Sequence, residues 1–231
     1  VWANYPGPDG TAELQITNPA GGVLGGDDYE MQVKLGPGSS ATLLTQGANR
    51  IYKGAQTSQR ATFEVGEGAC LEYLPHHLIP FAGSAYLSRN DFRLSGGSTL
   101  ITCEAYSAGR VSRGERFAFD RLSARTRITR DGLPLILEGF DLSGGEPFAG
   151  YDYTATIYAC APRSLTDLAE NLHSTLGGLP GTLASASAPE LGLCTARILA
   201  RGAPALYRAV NASRRVIRHS LELSPPVRDL R

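Results

Sequence analysis

The sequence is poor in the residues that usually announce a site. Its 231 residues include one Trp, one Met, four Cys and four His. The cysteines, Cys70, Cys103, Cys160 and Cys194, are widely spread, with no C-x-x-C pair. That usage argues against a zinc ribbon or a disulfide framework and reads as buried, reduced thiols. No apolar run approaches the roughly 18 to 20 residues of a membrane span, and the N-terminal Val1-Trp2-Ala3-Asn4-Tyr5-Pro6 has no charged region leading into an apolar one. Basic and acidic residues balance at 22 each, so no global field recommends nucleic acid or an acidic membrane as a partner. The expectation is a soluble, cytoplasmic protein. Its first residue is Val rather than Met, from which a processed or incomplete N-terminus is expected.

Glycine is plentiful instead, and its placement is informative. Asn18-Pro-Ala-Gly-Gly-Val-Leu-Gly-Gly-Asp27 puts Gly21, Gly22, Gly25 and Gly26 in six residues and ends on a carboxylate. Such a stretch is a shaped loop that other groups can approach closely. Asp27 closes it either as an Asx-type turn or as a carboxylate within reach of a cation. A phosphate loop needs Gly-Lys-Ser/Thr before a helix, and a dinucleotide fingerprint needs its own glycine spacing. Neither fits, because Tyr29 to Leu35 alternates as a strand does.

A repeat runs through the first 160 residues. The segments beginning at Val33, Phe63 and Phe92 superpose without gaps and start about 30 residues apart, each reading apolar strand, Gly turn, apolar strand. A looser copy, Ile128 to Glu138, carries Asp131-Gly132, a strong hairpin signal. Units of this kind bury their apolar faces only against neighbours. The expected fold is therefore mainly β, a β-helix or solenoid-like body of stacked hairpins.

Helical periodicity comes late. Leu165, Leu168, Leu172 and Leu176 share a face, with Ser164 as N-cap and Gly177-Gly178 as the stop. A Gly/Ser/Ala/Pro-rich linker is expected from Gly177 to Pro189, then a strand over 192–200. A second helix is expected from Pro204 to His219, with Leu206, Val210 and Ile217 inward and a solvated basic face of Arg208, Arg214, Arg215 and Arg218. The whole chain is read as one domain, with a β-rich body over 1–160 and a strand with two helices over 161–231.

Four segments then stand in a recognisable order: the glycine loop 18–27, Leu44-Thr-Gln-Gly-Ala-Asn-Arg-Ile-Tyr52, Leu71-Glu-Tyr-Leu-Pro75 with Ile79-Pro-Phe81, and Gly109-Arg-Val-Ser-Arg-Gly-Glu-Arg-Phe117. Together they closely resemble the signature segments of the UreD urease accessory proteins, called UreH in some bacteria. The resemblance covers roughly residues 5 to 145 and weakens after about 160. Most relatives carry a further pair of strands before Tyr5-Pro6. The resemblance implies a non-enzymatic chaperone of nickel insertion, a β-helical scaffold that binds apo-urease on one side and UreF on the other. UreF recruits the GTPase UreG, which delivers nickel, so GTP belongs to that partner and no tightly bound cofactor is expected here. It also implies an internal water-filled tunnel for nickel in transit, which needs hard or borderline ligands at low density.

The matching acids are Asp27, Glu72, Glu104 and Glu115, candidates for transient nickel contacts. Glu72 and Glu104 sit in strands, where each faces a channel, faces solvent, or pairs with Arg50, Arg110 or Arg113. Gln46 and Arg50, with Thr45 and Asn49, either pin the glycine loop or face a partner, and Arg110 belongs to the same group of loop and partner candidates. Tyr52 and Phe81 are expected in the core. His76-His77 invites a nickel-ligand reading, but adjacent strand residues point to opposite faces, and an exposed loop is the expectation. Two other functions are weighed. A carbohydrate-active enzyme on a β-solenoid would use Asp27, Glu72 and Glu104 as paired carboxylates, yet Trp2 is the only indole for sugar stacking. A nickel store would need a tight multi-ligand site, which scattered histidines and cysteines do not offer.

Overall fold

In a computed structural model of the chain, residues 2–7 and 9–230 are described, with side chains from residue 7 onward. After β1 (Trp2–Pro6), three complete turns of a solenoid follow, each of three strands. The first holds β2 (Ala12–Ile16), β3 (Gly22–Val23) and β4 (Asp28–Leu35), and the second β5 (Ser40–Thr45), β6 (Asn49–Ile51) and β7 (Thr57–Val65). The third holds β8 (Cys70–Leu74), β9 (Leu78–Pro80) and β10 (Ala85–Leu94). A fourth turn keeps β11 (Thr99–Ser107) and β12 (Arg121–Arg130) but replaces its middle strand by a loop with one 3-10 turn, Val111–Arg113.

Equivalent strands stack in parallel. β2, β5, β8 and β11 form one wall, β4, β7, β10 and β12 a second, and β3, β6 and β9 a narrow third ledge. Period-2 alternation decides what points inward. On β10, Tyr86, Ser88, Asn90, Phe92 and Leu94 are buried while Arg89 and Arg93 are exposed. The register aligns Val33, Phe63, Phe92 and Ile128, and the Phe63 and Phe92 rings stack at 4.4 Å. The repeat thus becomes a column of like residues filling one layer of the core.

The solenoid is the fold that the repeat predicts, with one difference in its turns. The glycine turns after Leu35, Val65 and Leu94 are corners between the two walls, because β4 pairs with β7 and β5 with β8 rather than with each other. Successive corners stack closely: a Cβ on Gly66 would lie 2.8 Å from the Leu35 carbonyl oxygen, and Gly66 N–H donates to that oxygen at 3.0 Å. A hairpin does form at Asp131-Gly132, where φ is +50° and +79°, as a two-residue type I′ turn requires. It folds β13 (Leu133–Leu142) antiparallel onto β12 and ends the parallel stacking.

The remaining strands extend the first wall antiparallel: β14 (Tyr153–Cys160) pairs with β11, β16 (Leu193–Ala200) with β14, and β15 (Thr182–Glu190) with β16. β15 lies within the stretch expected to be a linker. Its inward residues, Ala184, Ala186 and Ala188, alternate with Ser185 and Ser187, and that small/small alternation carries almost no hydropathy contrast. Two helices, α1 (Thr166–Gly177) and α2 (Ala203–Ser220), cover the outer face of this wall. Leu168, Leu172 and Leu176 join Leu206, Val210 and Ile217 in one cluster with Ile101, Cys103, Ala105 and Ile157. The residue before α1 is Leu165 rather than Ser164, and it offers no side-chain cap; Ser164 Oγ instead lies 3.2 Å from Thr166 Oγ1. All four cysteines are free thiols, Cys70 partly buried and the others buried. Among the described residues, no helix is long and apolar enough to cross a membrane.

Candidate functional site

The first wall has two buried faces, and alternation sorts the acids between them. On β11, Leu100, Thr102, Glu104 and Tyr106 face the second wall, while Ile101, Cys103 and Ala105 face the helices. Glu72 of β8 is in register with Ile101 and shares its face. Glu72 and Glu104 therefore lie on opposite sides of one sheet. They cannot attack one bond together, which removes the geometry that a paired-carboxylate mechanism needs.

Glu104 projects into the interior between the walls. Asn90 Nδ2 donates to Glu104 Oε1 at 2.6 Å, and Thr126 Oγ1 donates to the same oxygen. Among the described residues, no cation pairs with it. Burial raises its pKa above the ordinary carboxylate value; the hydrogen bonds from Thr126 and Asn90 only partly offset this, and Glu138 raises it further. Asn90 Oδ1 and Thr102 Oγ1 have no hydrogen-bond partner. A cleft of about 260 Å³ opens beside this group, lined by Glu104, Glu138, Thr156, Tyr158, Arg197 and Phe148 among others. At its rim Arg197 of β16 and Glu138 of β13 meet at 2.6 Å, joining the two walls. A partly buried carboxylate without a counter-charge among the described residues, beside orphaned oxygen atoms, is a costly arrangement. It leaves the Glu104 carboxylate facing the cleft.

Glu72 is 1 % exposed and fully engaged on the helix side. Arg214 grips it with Nη2 at 2.6 Å and Nε at 3.3 Å, Arg218 Nη1 lies at 3.0 Å, and Thr42 Oγ1 donates at 3.1 Å. Burial pushes its pKa up, and the hydrogen bonds and charges of Arg214 and Arg218 more than reverse this, so that it titrates below the usual range. Its partners are not Arg50, Arg110 or Arg113. Arg214 and Arg218, expected on a solvated face, are 3 % and 7 % exposed and belong to the buried stripe of α2. They also hold the C-terminal segment, Arg214 Nη1 donating to the Arg228 carbonyl at 2.8 Å and Arg218 Nε to that of Ser224.

The other candidates gather around the third ledge. Asp27 Oδ2 accepts from Leu24 N at 2.8 Å and from the Tyr29 hydroxyl at 2.9 Å, so the glycine loop closes on itself through a bond back to Leu24 rather than through the expected Asx-type turn. Gly22 packs directly against β6, where a Cβ would come within 2.5 Å of the Arg50 carbonyl oxygen. Asn18 Nδ2 reaches Gly22 O at 2.8 Å and Asn49 Oδ1 at 3.3 Å, and Arg50 Nη1 reaches Gly21 O at 3.3 Å. Asn49 and Arg50 therefore pin the loop, while the Gln46 side chain is exposed. Glu115 takes both Nε and Nη2 of Arg110, which lowers its pKa, and Arg110 stacks over Phe81 at 4.3 Å. Tyr52 and Phe81 are half-buried and meet edge to face at 5.2 Å.

The histidine pair corrects an expectation. His76 and His77 are buried, at 9 % and 6 % exposure, rather than in an exposed loop. Thr45 Oγ1 lies 3.0 Å from His76 Nδ1, and the Tyr207 hydroxyl of α2 lies 2.7 Å from His77 Nδ1. Burial, with a smaller contribution from His76, lowers the His77 pKa to about 4. Among the described residues, no three His, Cys, Asp or Glu side chains converge as a metal site. The residues missed from the sequence are Asn90, Thr126 and Glu138 around Glu104, and Arg214 and Arg218 around Glu72. The run Tyr86-x-Ser88-x-Asn90-x-Phe92 carried a signal: polar residues at inward positions of an otherwise apolar strand mark a polar interior.

The family model described as UreD urease accessory protein matches residues 2–230. The chain is 33% identical over 192 residues to a protein of Streptomyces griseus named urease accessory protein UreD 2, covering 78% of this chain and 65% of that protein. To the urease accessory protein UreD of Anaeromyxobacter sp. it is 33% identical over 202 residues, 81% and 68% of the two chains. To that of Alkalilimnicola ehrlichii it is 30% identical over 230 residues, 95% and 78%. The match spans about two thirds of the first two relatives and 50% of the Sorangium cellulosum protein. Sequence similarity along nearly its whole length, on a β-solenoid with two helices, establishes that this chain belongs to the UreD urease accessory protein family.

Proposed function

We propose that the chain is a non-enzymatic scaffold that docks apo-urease and UreF and passes nickel, delivered by the GTPase UreG, toward the urease active site. The observation that carries this reading is the cleft at Glu104. Among the described residues it offers one carboxylate without a cation partner, the hydroxyl-bearing Thr154, Thr156 and Tyr158 in its lining, and no cluster of three metal-binding side chains. Nickel is cargo here, and scattered oxygen donors hold such an ion briefly where imidazole and thiolate cages would retain it. Of the four candidate acids, Glu104 is best placed for this role. Glu72 and Glu115 are neutralised by arginines, and Asp27 closes its own loop.

The test is co-purification of the chain with UreF and apo-urease, followed by urease assay after adding nickel, bicarbonate and GTP-loaded UreG. Activation should depend on this chain. With Glu104→Gln, the complex should still assemble while nickel content and activity fall by about tenfold, the scale at which neighbours of a metal act. Normal nickel loading by Glu104→Gln would remove the interior cleft from the path. Failure of the folded chain to bind either protein would reject the scaffold itself.

A further inference from the structure

The third ledge carries a second concave site that the nickel reading does not use. Between β6, β9 and the Val111–Arg113 turn lies an open cleft of about 390 Å³, lined chiefly by Arg50, Phe81, Arg110, Arg113 and Tyr153. Arg110 is already matched by Glu115 and held over the Phe81 ring. Arg50 and Arg113 are exposed, and among the described residues neither forms an ion pair. The chain carries no net charge, so these two exposed guanidiniums, with Glu115 near Arg113 but bonded to Arg110, are a local basic feature.

We propose that this cleft docks an acidic segment of a protein partner. Guanidiniums bind carboxylates in a forked geometry, and aromatic walls such as Phe81 and Tyr153 lower the local dielectric and strengthen that pairing. The backbone under Arg50 is held by its neighbours: Gly22 packs on it, and Tyr52 N–H donates to the Val23 carbonyl at 2.9 Å. Nucleic acid fits less well. Glu115 sits at the cleft among the arginines, and no basic stripe extends from it to follow a phosphate backbone. A rival basic surface exists on the outer face of the second wall, where Arg60, Arg89 and Arg125 are in register on neighbouring strands. That row is flat, and Asp28 already pairs with Arg60. The proposal is independent of the path taken by nickel.

The test is fluorescence anisotropy of the full chain with a labelled hexaglutamate peptide, against labelled hexaglutamine and a labelled oligothymidine. Hexaglutamate should bind and weaken with added salt. The double variant Arg50→Glu/Arg113→Glu should lose about tenfold or more in affinity, and Arg89→Glu/Arg125→Glu should change it by less than about twofold. Thermal melts establish that the variants fold. Should the double reversal unfold the chain, Arg113→Gln alone, in an exposed turn, should still weaken binding by about threefold. Equal binding of hexaglutamine, no binding at all, or a loss in the Arg89/Arg125 variant equal to that in the Arg50/Arg113 variant overturns the proposal. So does tighter binding of oligothymidine that is lost in Arg50→Glu/Arg113→Glu.

Discussion

Glu72 and Glu104 stand on neighbouring strands of one sheet, the first buried and the second partly buried, and the fold treats their charges in opposite ways. Glu72 faces α2 and receives two guanidiniums and a hydroxyl. Glu104 faces the hollow of the solenoid and receives only an amide and a hydroxyl. The first is a closed structural ion pair, in which each charge makes the burial of the other tolerable. The second keeps an acid that has no counter-charge among the described residues beside a cleft, as a group held for something other than stability is kept. In the sequence both are strand glutamates flanked by apolar residues; only their neighbours in the fold tell them apart.

The largest test of that difference is Glu72→Gln. Removing the carboxylate leaves Arg214 and Arg218 buried without a counter-charge, which should cost about 3 to 5 kcal/mol. It should also loosen the segment after α2, measured by urea unfolding and by protease sensitivity near Ser224 to Leu230. The pH dependence follows with a definite sign. The Glu72 pKa is lower in the folded chain, so its contribution is present above the unfolded carboxylate value near 4.5 and is lost as pH falls through the lowered folded value. Glu72→Gln should therefore flatten the acid limb of the stability curve. An unchanged midpoint would mean that the pair is not the link between α2 and the sheet.

Glu104→Gln should act in the reverse direction and more weakly. The pKa of Glu104 is raised on folding, so its favourable contribution is complete below about 4.5 and is lost as pH rises through the folded value. An amide keeps an oxygen to accept from Asn90 and Thr126 and carries no charge. The variant should be more stable than the wild-type chain at neutral pH, with the gain vanishing in acid. Thermal melts across that interval measure it. A variant that is more stable and yet loads less nickel would separate the transit role from folding, whereas a destabilised one would make Glu104 structural like Glu72.

The sequence made the solenoid legible because the strand, Gly corner, strand pattern is written three times at a nearly constant period, and that period puts Phe63 and Phe92 in register to stack. It could not show which carboxylate was closed. Alternation puts Glu72 and Glu104 on opposite faces, but which face is covered, and by what, depends on α2. Arg214 lies 142 positions from Glu72. Nor does α2 announce its buried arginines. Arg214 and Arg218 are one turn apart, a spacing that suits a solvated face as well as a paired one. His77 was hidden for the same reason, since Tyr207 of α2 covers it. β15 escaped because alanine and serine alternate with too little contrast to read.

The smallest effect concerns the rim where the two walls meet. Arg197 and Glu138 approach to 2.6 Å, but their side chains are 59% and 27% exposed. Solvent therefore screens the pair, and Arg197→Ala should lower stability by only about 0.2 to 1 kcal/mol. Its consequence for the cleft should be larger than its cost in folding. Glu138 would lose its cation while remaining beside Glu104, which should raise the Glu104 pKa further, because a nearby like charge disfavours ionisation. Carboxyl chemical shifts of Glu104, followed by NMR through a pH titration, would read this directly. Movement of the Glu104 titration to higher pH with little change in melting temperature would make the rim pair a device that sets the charge of the interior acid. A drop in melting temperature as large as that of Glu72→Gln, with no movement of the titration, would place Arg197 with the structural ion pairs instead.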